Sequence, residues 1–113
     1  MLRHRSFLLT AVLLFALTGM ALMRPQAQKE VEQIDQQIEQ LQDKKRGYEA
    51  RALRHEDYIQ RLQFDDRAYL EMRRHGQLAD ENRARAAQMQ EEIDRLQAKK
   101  QQILEKEKRA GRV

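Results

Sequence analysis

The chain has no cysteine and no tryptophan, and its 113 residues include one proline, four glycines and only three each of phenylalanine and tyrosine. Without cysteine, disulfide bonds, thiolate nucleophiles and cysteine-based metal sites are excluded, and thiols do not indicate a redox compartment. The length allows one domain at most, and because about 18 residues form an apolar block that cannot join a soluble core, we do not expect a large globular core. The remainder is dominated by Gln, Glu, Lys, Arg, Ala and Leu, a composition that favours long helices.

Residues that carry catalysis are also scarce. Ser6 is the only serine, both threonines lie in an apolar N-terminal run, and the three histidines are at positions 4, 55 and 75. There is no H-E-x-x-H motif and no glycine-rich phosphate loop. Acidic pairs such as Asp65-Asp66 are expected to be solvated. We therefore predict that the protein is not an enzyme and has no cofactor or metal site.

Charge of one sign is not concentrated anywhere in the coil-forming part of the chain. The 22 basic residues are interleaved with 18 acidic residues, for a formal net charge of +4. Because phosphate binding requires clustered positive potential, we do not expect nucleic-acid binding.

An uncharged apolar run occupies residues 6–23, between Arg5 and Arg24. At 1.5 Å per residue its 18 residues span roughly 27 Å, close to the thickness of the bilayer hydrocarbon. We predict a transmembrane helix behind a short cytoplasmic head, residues 1–5, with the remaining chain outside the inner (cell) membrane. The alternative is a signal peptide cleaved near Ala21, which would release a secreted protein.

Apolar residues alternate at steps of three and four through residues 26–63, which predicts a coiled coil. The positions of this stripe are Val31, Ile34, Ile38, Leu41, Lys45, Tyr48, Ala52, His55, Ile59 and Leu62. Helix pairing is the simplest way to bury the stripe. Lys45 and His55 interrupt it with polar groups, and we expect them to set register and partner choice. A pH switch at His55 is the alternative to a tolerated polar interruption.

A second periodic segment, residues 78–108, has fewer apolar residues at its stripe positions. A basic tail, residues 109–113, follows it, and we expect this tail to be frayed. The stripe positions of the segment are Ala79, Asn82, Ala86, Met89, Ile93, Leu96, Lys100 and Ile103. The two segments either fold back on each other near Gly76 or continue as a straight helix. In a straight helix Leu62 and Leu78 would be roughly 24 Å apart.

The periodicity fails in residues 64–77. Asp65-Asp66 favour helix N-termini, so we predict that the coil stops near Gln63 and that a short helix starts at Asp66. Gly76, preceded by Arg73, Arg74 and His75, is typical of a helix C-terminus. A skip within one continuous helix is the alternative.

A basic head, one apolar span, a coil and then the stretch YIQRLQFDDRAYLE (Tyr58 to Glu71) resemble the septum formation initiator family of bitopic cell-division proteins. The similarity covers residues 1 to 76. The positions that match the family motif are Asp66, Tyr69, Leu70, Glu71 and Gly76, whereas Arg67 replaces the usual proline. The resemblance implies a partner that is another coiled-coil membrane protein of the division complex.

We therefore predict an all-α protein with one transmembrane helix, acting as a bitopic membrane scaffold that pairs with a partner helix in a homo- or hetero-oligomer. The expected partner interface comprises Val31, Ile34, Ile38, Leu41, Tyr48, Ile59, Leu62, Phe64, Tyr69 and Leu70. Two alternatives remain open. One is a secreted periplasmic coil with a chaperone-like or structural role, and the other is a phage spanin-type membrane coil.

Overall fold

The computed structural model describes residues 23–113, and within that range the chain forms two α-helices and no β-strand. Helix α1 spans Pro25–Leu62 and helix α2 spans Tyr69–Arg109. The prediction of an all-helical chain is confirmed for these residues. The predicted head and transmembrane segment, apart from Met23, lie outside the described residues. Neither α1 nor α2 contains an apolar stretch long enough to cross a bilayer.

Helix α1 begins at the only proline of the chain. Pro25 occupies the first helical position, where its missing N–H is not needed and its fixed φ suits the helix. The first backbone hydrogen bond is donated by the Gln28 N–H to the Arg24 carbonyl at 3.0 Å. The Gln28 side-chain amide also donates to the Met23 carbonyl at 3.3 Å. The start of α1 is therefore closed by both main-chain and side-chain donors.

Residues 63–68 form the turn between the helices. The Asp65 N–H donates to the Leu62 carbonyl, and the Ala68 N–H donates to the Asp65 carbonyl, both at 3.0 Å. The Asp65 carboxylate accepts from the Arg67 N–H at 3.0 Å, a local bond that competes with helix formation. Helix α2 consequently begins at Tyr69, after Ala68, rather than at Asp66 as we expected from the sequence.

Gly76 lies inside α2, and the short helix that we expected to end there does not exist. Gly76 lacks the positive φ of a helix C-cap, and its neighbours are good helix formers. The glycine cap is instead Gly111, with φ 75°. The Arg112 N–H donates to the Glu107 carbonyl at 2.9 Å and the Gly111 N–H to the Lys108 carbonyl at 3.0 Å. These two bonds form a Schellman motif, where we expected a frayed tail.

Residues Gln36–Gln97 form one compact unit, which we call the hairpin unit. Lys45 contacts Gln90 and Glu56 contacts Arg83, so residue numbers rise along one helix as they fall along the other. The two helical segments are therefore antiparallel, and the straight-helix alternative is wrong for these residues. The buried apolar residues of this unit are Ile38, Leu41, Ala52, Ala68, Ala79, Ala86 and Ile93.

A second compact unit contains residues 23–35 and Ala98–Val113, and we call it the terminal unit. Met23, Ala27 and Val31 form a buried cluster, against which Ile103 and Leu104 pack. Lys100 donates to the Asp35 carboxylate at 2.7 Å. Arg24 contacts Glu107, so the two segments of this unit are also antiparallel.

The antiparallel pairing in the terminal unit predicts a specific chemical cross-link. A zero-length carbodiimide reagent should join the Lys100 amine to the Asp35 carboxylate, because the two groups are 2.7 Å apart. Peptide mass spectrometry on mixed isotope-labelled and unlabelled chains should find the link within single chains. The substitution Asp35→Asn should remove it, and a link found only between chains would contradict the pairing.

Burial of the stripe predicts that truncating a buried aliphatic residue lowers the free energy of unfolding more than truncating an exposed one. Ile93 is 2% exposed and Leu53 is 64% exposed. Ile93→Ala should lower the free energy of unfolding by about 2 kcal/mol or more, because it removes buried methyl groups and leaves a cavity. Leu53→Ala should change it by less than about 0.5 kcal/mol. Urea denaturation followed by circular dichroism measures both, and equal effects would contradict the assigned stripe.

Candidate partner-binding site

The chain itself buries much of the apolar stripe that the sequence offered as a partner interface. Val31 and Ile34 are buried in the terminal unit, where Ile103 and Leu104 pack against the cluster containing Val31. Ile38 and Leu41 are buried in the hairpin unit. Tyr48, Ile59 and Leu62 are half-buried. Pairing with another chain through these residues remains a prediction, and it would require that partner to replace contacts within this chain.

Lys45 and Tyr48, two polar members of the stripe, also find partners within the hairpin unit. The Lys45 ammonium donates to the Gln90 side-chain oxygen at 2.6 Å and lies 3.7 Å from the Glu49 carboxylate. The guanidinium groups of Arg51 and Arg85 lie 5.5 and 5.8 Å from the centre of the Tyr48 ring. The charge of Lys45 is therefore met by a polar group on the facing helix of its own chain, and its role in setting register stays a prediction.

Three large apolar side chains of the predicted interface are exposed, and all belong to seven consecutive residues at the turn. Phe64 is 87% exposed, Tyr69 is 68% exposed and Leu70 is 75% exposed. We call these three residues the tip surface. Scattered exposed apolar residues are common, but clustered ones frequently mark interaction sites. The tip surface is therefore the part of the predicted interface that remains available to another molecule.

The backbone under the tip surface is held in place. Ala68 is buried, although Phe64 before it and Tyr69 after it in the sequence are exposed. The hydrogen bonds around Asp65 close the turn. The Met72 N–H donates to the Ala68 carbonyl at 2.9 Å, which makes Ala68 the last residue before α2. This arrangement presents the tip surface on an ordered turn, so less conformational entropy is lost on binding.

The remaining motif residues flank the tip surface without forming a polar site of their own. Asp66 is exposed in the turn, and Glu71 is exposed in the first turn of α2. Glu71 lines an open groove with Arg74, His75 and Leu78. Within residues 23–113 no group of three or more His, Cys, Asp or Glu side chains could hold a metal ion.

A contact between two histidines joins the two helices near the turn of the hairpin unit. His55 Nδ1 and His75 Nδ1 are 2.9 Å apart, and both side chains are partly buried. Tyr58 stacks on His75 with ring centres 5.0 Å apart. Sequence reasoning selected His55 but assigned His75 to a helix end. A hairpin centred near Asp65 would have revealed the pair, because positions 55 and 75 are equidistant from that residue.

The terminal unit contains the strongest electrostatic feature of the described residues. The Glu107 side chain is only 1% exposed, and its carboxylate accepts from Arg112 and, at 2.9 Å, from Arg24. The hydrogen bond from Arg112, aided by Arg24 and opposed by desolvation, lowers the Glu107 pKa to about 2. The periodic pattern of the sequence did not identify Glu107, because it is a charged residue at a buried stripe position.

Comparison with known proteins gives no relative: no family model, no curated protein and no solved structure matches the chain. The resemblance to septum formation initiators thus depends on the order of segments and on a few residues after the coil. Of these residues, Tyr69 and Leu70 belong to the tip surface.

The lowered Glu107 pKa predicts acid sensitivity. Its folded value of about 2 lies below the ordinary 4.5, so the charged carboxylate contributes stability above about pH 4.5. That contribution is lost as the pH falls towards 2. Urea midpoints measured from pH 6 to pH 2 should fall more steeply for the wild type than for Glu107→Gln.

Glu105 provides a matched control, because it is an exposed glutamate on the same helix. The variant Glu105→Gln should keep the acid sensitivity of the wild type. Equal pH dependence in the wild type and Glu107→Gln would contradict the role assigned to Glu107. Amide exchange of residues 98–113 should locate the loss in the terminal unit.

Proposed function

We propose that the protein is a bitopic membrane scaffold whose helical hairpin unit presents the tip surface to a partner protein. The observation that carries this proposal is the contrast in exposure within the predicted interface. Ile38 and Leu41 are buried by their own chain, whereas Phe64 and Leu70 remain largely exposed on an ordered turn. Binding through the tip surface therefore requires no opening of the helix pair.

The tip surface has the chemistry of a small protein-binding anchor. Burying a large apolar side chain contributes roughly 1.5–3 kcal/mol, and a few such residues dominate most interfaces. Charges of both signs surround the three apolar residues, including Asp66, Arg67 and Glu71. This mixed polar rim fits an apolar pocket or helix groove in a protein better than an anionic lipid surface, which would favour basic residues alone.

The membrane topology of the proposal comes from the sequence. Residues 6–23 form the anchor, the head is cytoplasmic and the hairpin unit lies on the extracytoplasmic side of the inner membrane. The motif residues Tyr69 and Leu70 support a partner of the kind that septum formation initiators use, namely another coiled-coil membrane protein of the division complex. Polar contacts between the helices, such as Lys45 to Gln90, fit a scaffold role because they join the two helices.

Site-specific photo-cross-linking in native membranes tests the proposal. A photoreactive phenylalanine analogue at position 64 should capture a partner protein, whereas the same analogue at position 53 should not. Leu53 is the matched control because it is also exposed but lies within α1, away from the turn. Capture of equal yield at both positions would indicate nonspecific contact, and capture of lipid alone would overturn the proposed partner class.

Alanine variants give the second arm of this test. Phe64→Ala combined with Leu70→Ala should lower co-purification of the partner at least tenfold, while Leu53→Ala should leave it unchanged. Both variants should retain the circular dichroism of the wild type, because the substituted side chains are exposed. Undiminished co-purification by the double variant would contradict a binding role for the tip surface.

A secreted protein that binds client chains through the same exposed tip surface is the second candidate. It shares the hairpin unit and differs in the fate of residues 1–21. Mass measurement of the mature N-terminus, together with membrane pelleting, distinguishes the two. An intact N-terminus in the membrane fraction favours the scaffold, and cleavage near Ala21 favours the secreted protein.

A further inference from the structure

The two histidines of the hairpin unit meet across the helix pair. His55 belongs to α1 and His75 to α2, and their Nδ1 atoms are 2.9 Å apart. The ring centres are 5.1 Å apart, so the two nitrogen atoms lie between the rings and face one another. At this distance one Nδ1–H donates to the lone pair of the other Nδ1. The contact therefore contains one shared proton.

A shared proton makes this contact dependent on charge state. A neutral pair or a singly protonated pair retains one lone pair that can accept the hydrogen bond. When both imidazoles are protonated, two Nδ1–H groups face each other and neither nitrogen accepts. The hydrogen bond is then replaced by repulsion between like charges at close range. Histidine is the side chain whose charge ordinarily changes between pH 5 and 8.

The charged groups around the pair are of both signs. On α1, Glu56 follows His55, but its carboxylate is paired with Arg83 of α2. On α2, Glu71 and Arg74 line the groove beside His75 and carry opposite charges. Tyr58 stacks on His75 with an interplanar angle of 15° and is uncharged near neutral pH. Within residues 23–113 every ion pair of a carboxylate is made with Lys or Arg, and none involves His55 or His75.

The geometry points to a proton-controlled latch: the His55–His75 hydrogen bond fastens the two helices near the turn at neutral pH, and double protonation releases them in mild acid. Release loosens residues 55–76, which carry the tip surface. The consequence is a hairpin unit whose turn end is ordered at neutral pH and mobile in mild acid. The latch is a property of the chain alone and does not depend on the proposed scaffold function.

Amide hydrogen exchange on the full-length chain in detergent micelles tests the latch. Rates are measured at pH 7 and pH 5 and corrected for the intrinsic effect of pH. Protection of residues 55–76 in the wild type should fall roughly tenfold at pH 5, equivalent to about 1.4 kcal/mol. His75→Gln should abolish this fall, because the glutamine amide oxygen accepts a hydrogen bond from protonated His55 without adding charge.

Three further variants complete the experiment. His55→Gln should behave as His75→Gln does, so the test survives if either single variant fails to fold at pH 7. His4→Gln is the matched control and should keep the wild-type fall in protection, because His4 lies outside the pair. Lys45→Gln changes a different polar contact of the stripe and should also keep it. Constant wild-type protection, or an unchanged fall in both pair variants, would overturn the latch.

Discussion

A helix with one apolar stripe in water requires a second surface to cover that stripe, and the rest of this structure depends on how the requirement is met. In the hairpin unit α2 supplies the cover for α1, and in the terminal unit Ile103 and Leu104 pack against the cluster that contains Val31. Covering the stripe within one chain removes the main reason for coiled-coil pairing between chains. Within residues 23–113 the most exposed large apolar side chains, Phe64, Leu70 and Tyr69, lie at the turn.

The core of the hairpin unit is built largely from small side chains. Ala52, Ala79 and Ala86 are buried there, together with the larger Ile38 and Ile93. Alanine lets two helices approach closely but buries little apolar area, so each such layer contributes less than a leucine layer. Polar contacts such as Lys45 to Gln90 consequently matter for register, since small residues alone would allow the helices to slide. Because this core buries little apolar area, the free energy required for local opening at the turn is small.

The alternation of three and four along the sequence identified most of the buried positions of the two helices, from Val31 to Ile93, but not Ala27 or Glu107. Periodicity specifies which face of a helix is apolar, but it does not specify whether the covering helix belongs to the same chain. The position of the turn depended on finer details. Asp65 rather than Asp66 accepts the local hydrogen bond, and glycine was compatible with either a cap or a helix interior.

Residues whose role depends on a distant contact were the hardest to identify from the sequence. His75 gains its role from His55 on the other helix, and Glu107 becomes a buried charge only because Arg24 and Arg112 reach it. The sequence also did not show which apolar side chains would be exposed. Phe64, Leu70 and Ile38 are all apolar, yet only Ile38 is buried. A sequence pattern gives the type of each residue but not its neighbours in space. Sites formed between two helices can therefore be predicted only after the register of the helices is known.

In the part of the chain that the structure describes, glycine lies inside a helix at two positions, Gly47 and Gly76, where it lowers backbone stiffness. An added Cβ would have open space at Gly47, and at Gly76 it would meet only the Ile59 Cδ1 atom at an ordinary 3.9 Å. Close packing therefore requires glycine at neither position, although each costs its helix about 1 kcal/mol relative to alanine. Gly76 directly follows His75, so this glycine of α2 adjoins the imidazole contact. Bending of α2 at Gly76 would move the tip surface while leaving the helical turns far from Gly76 unchanged.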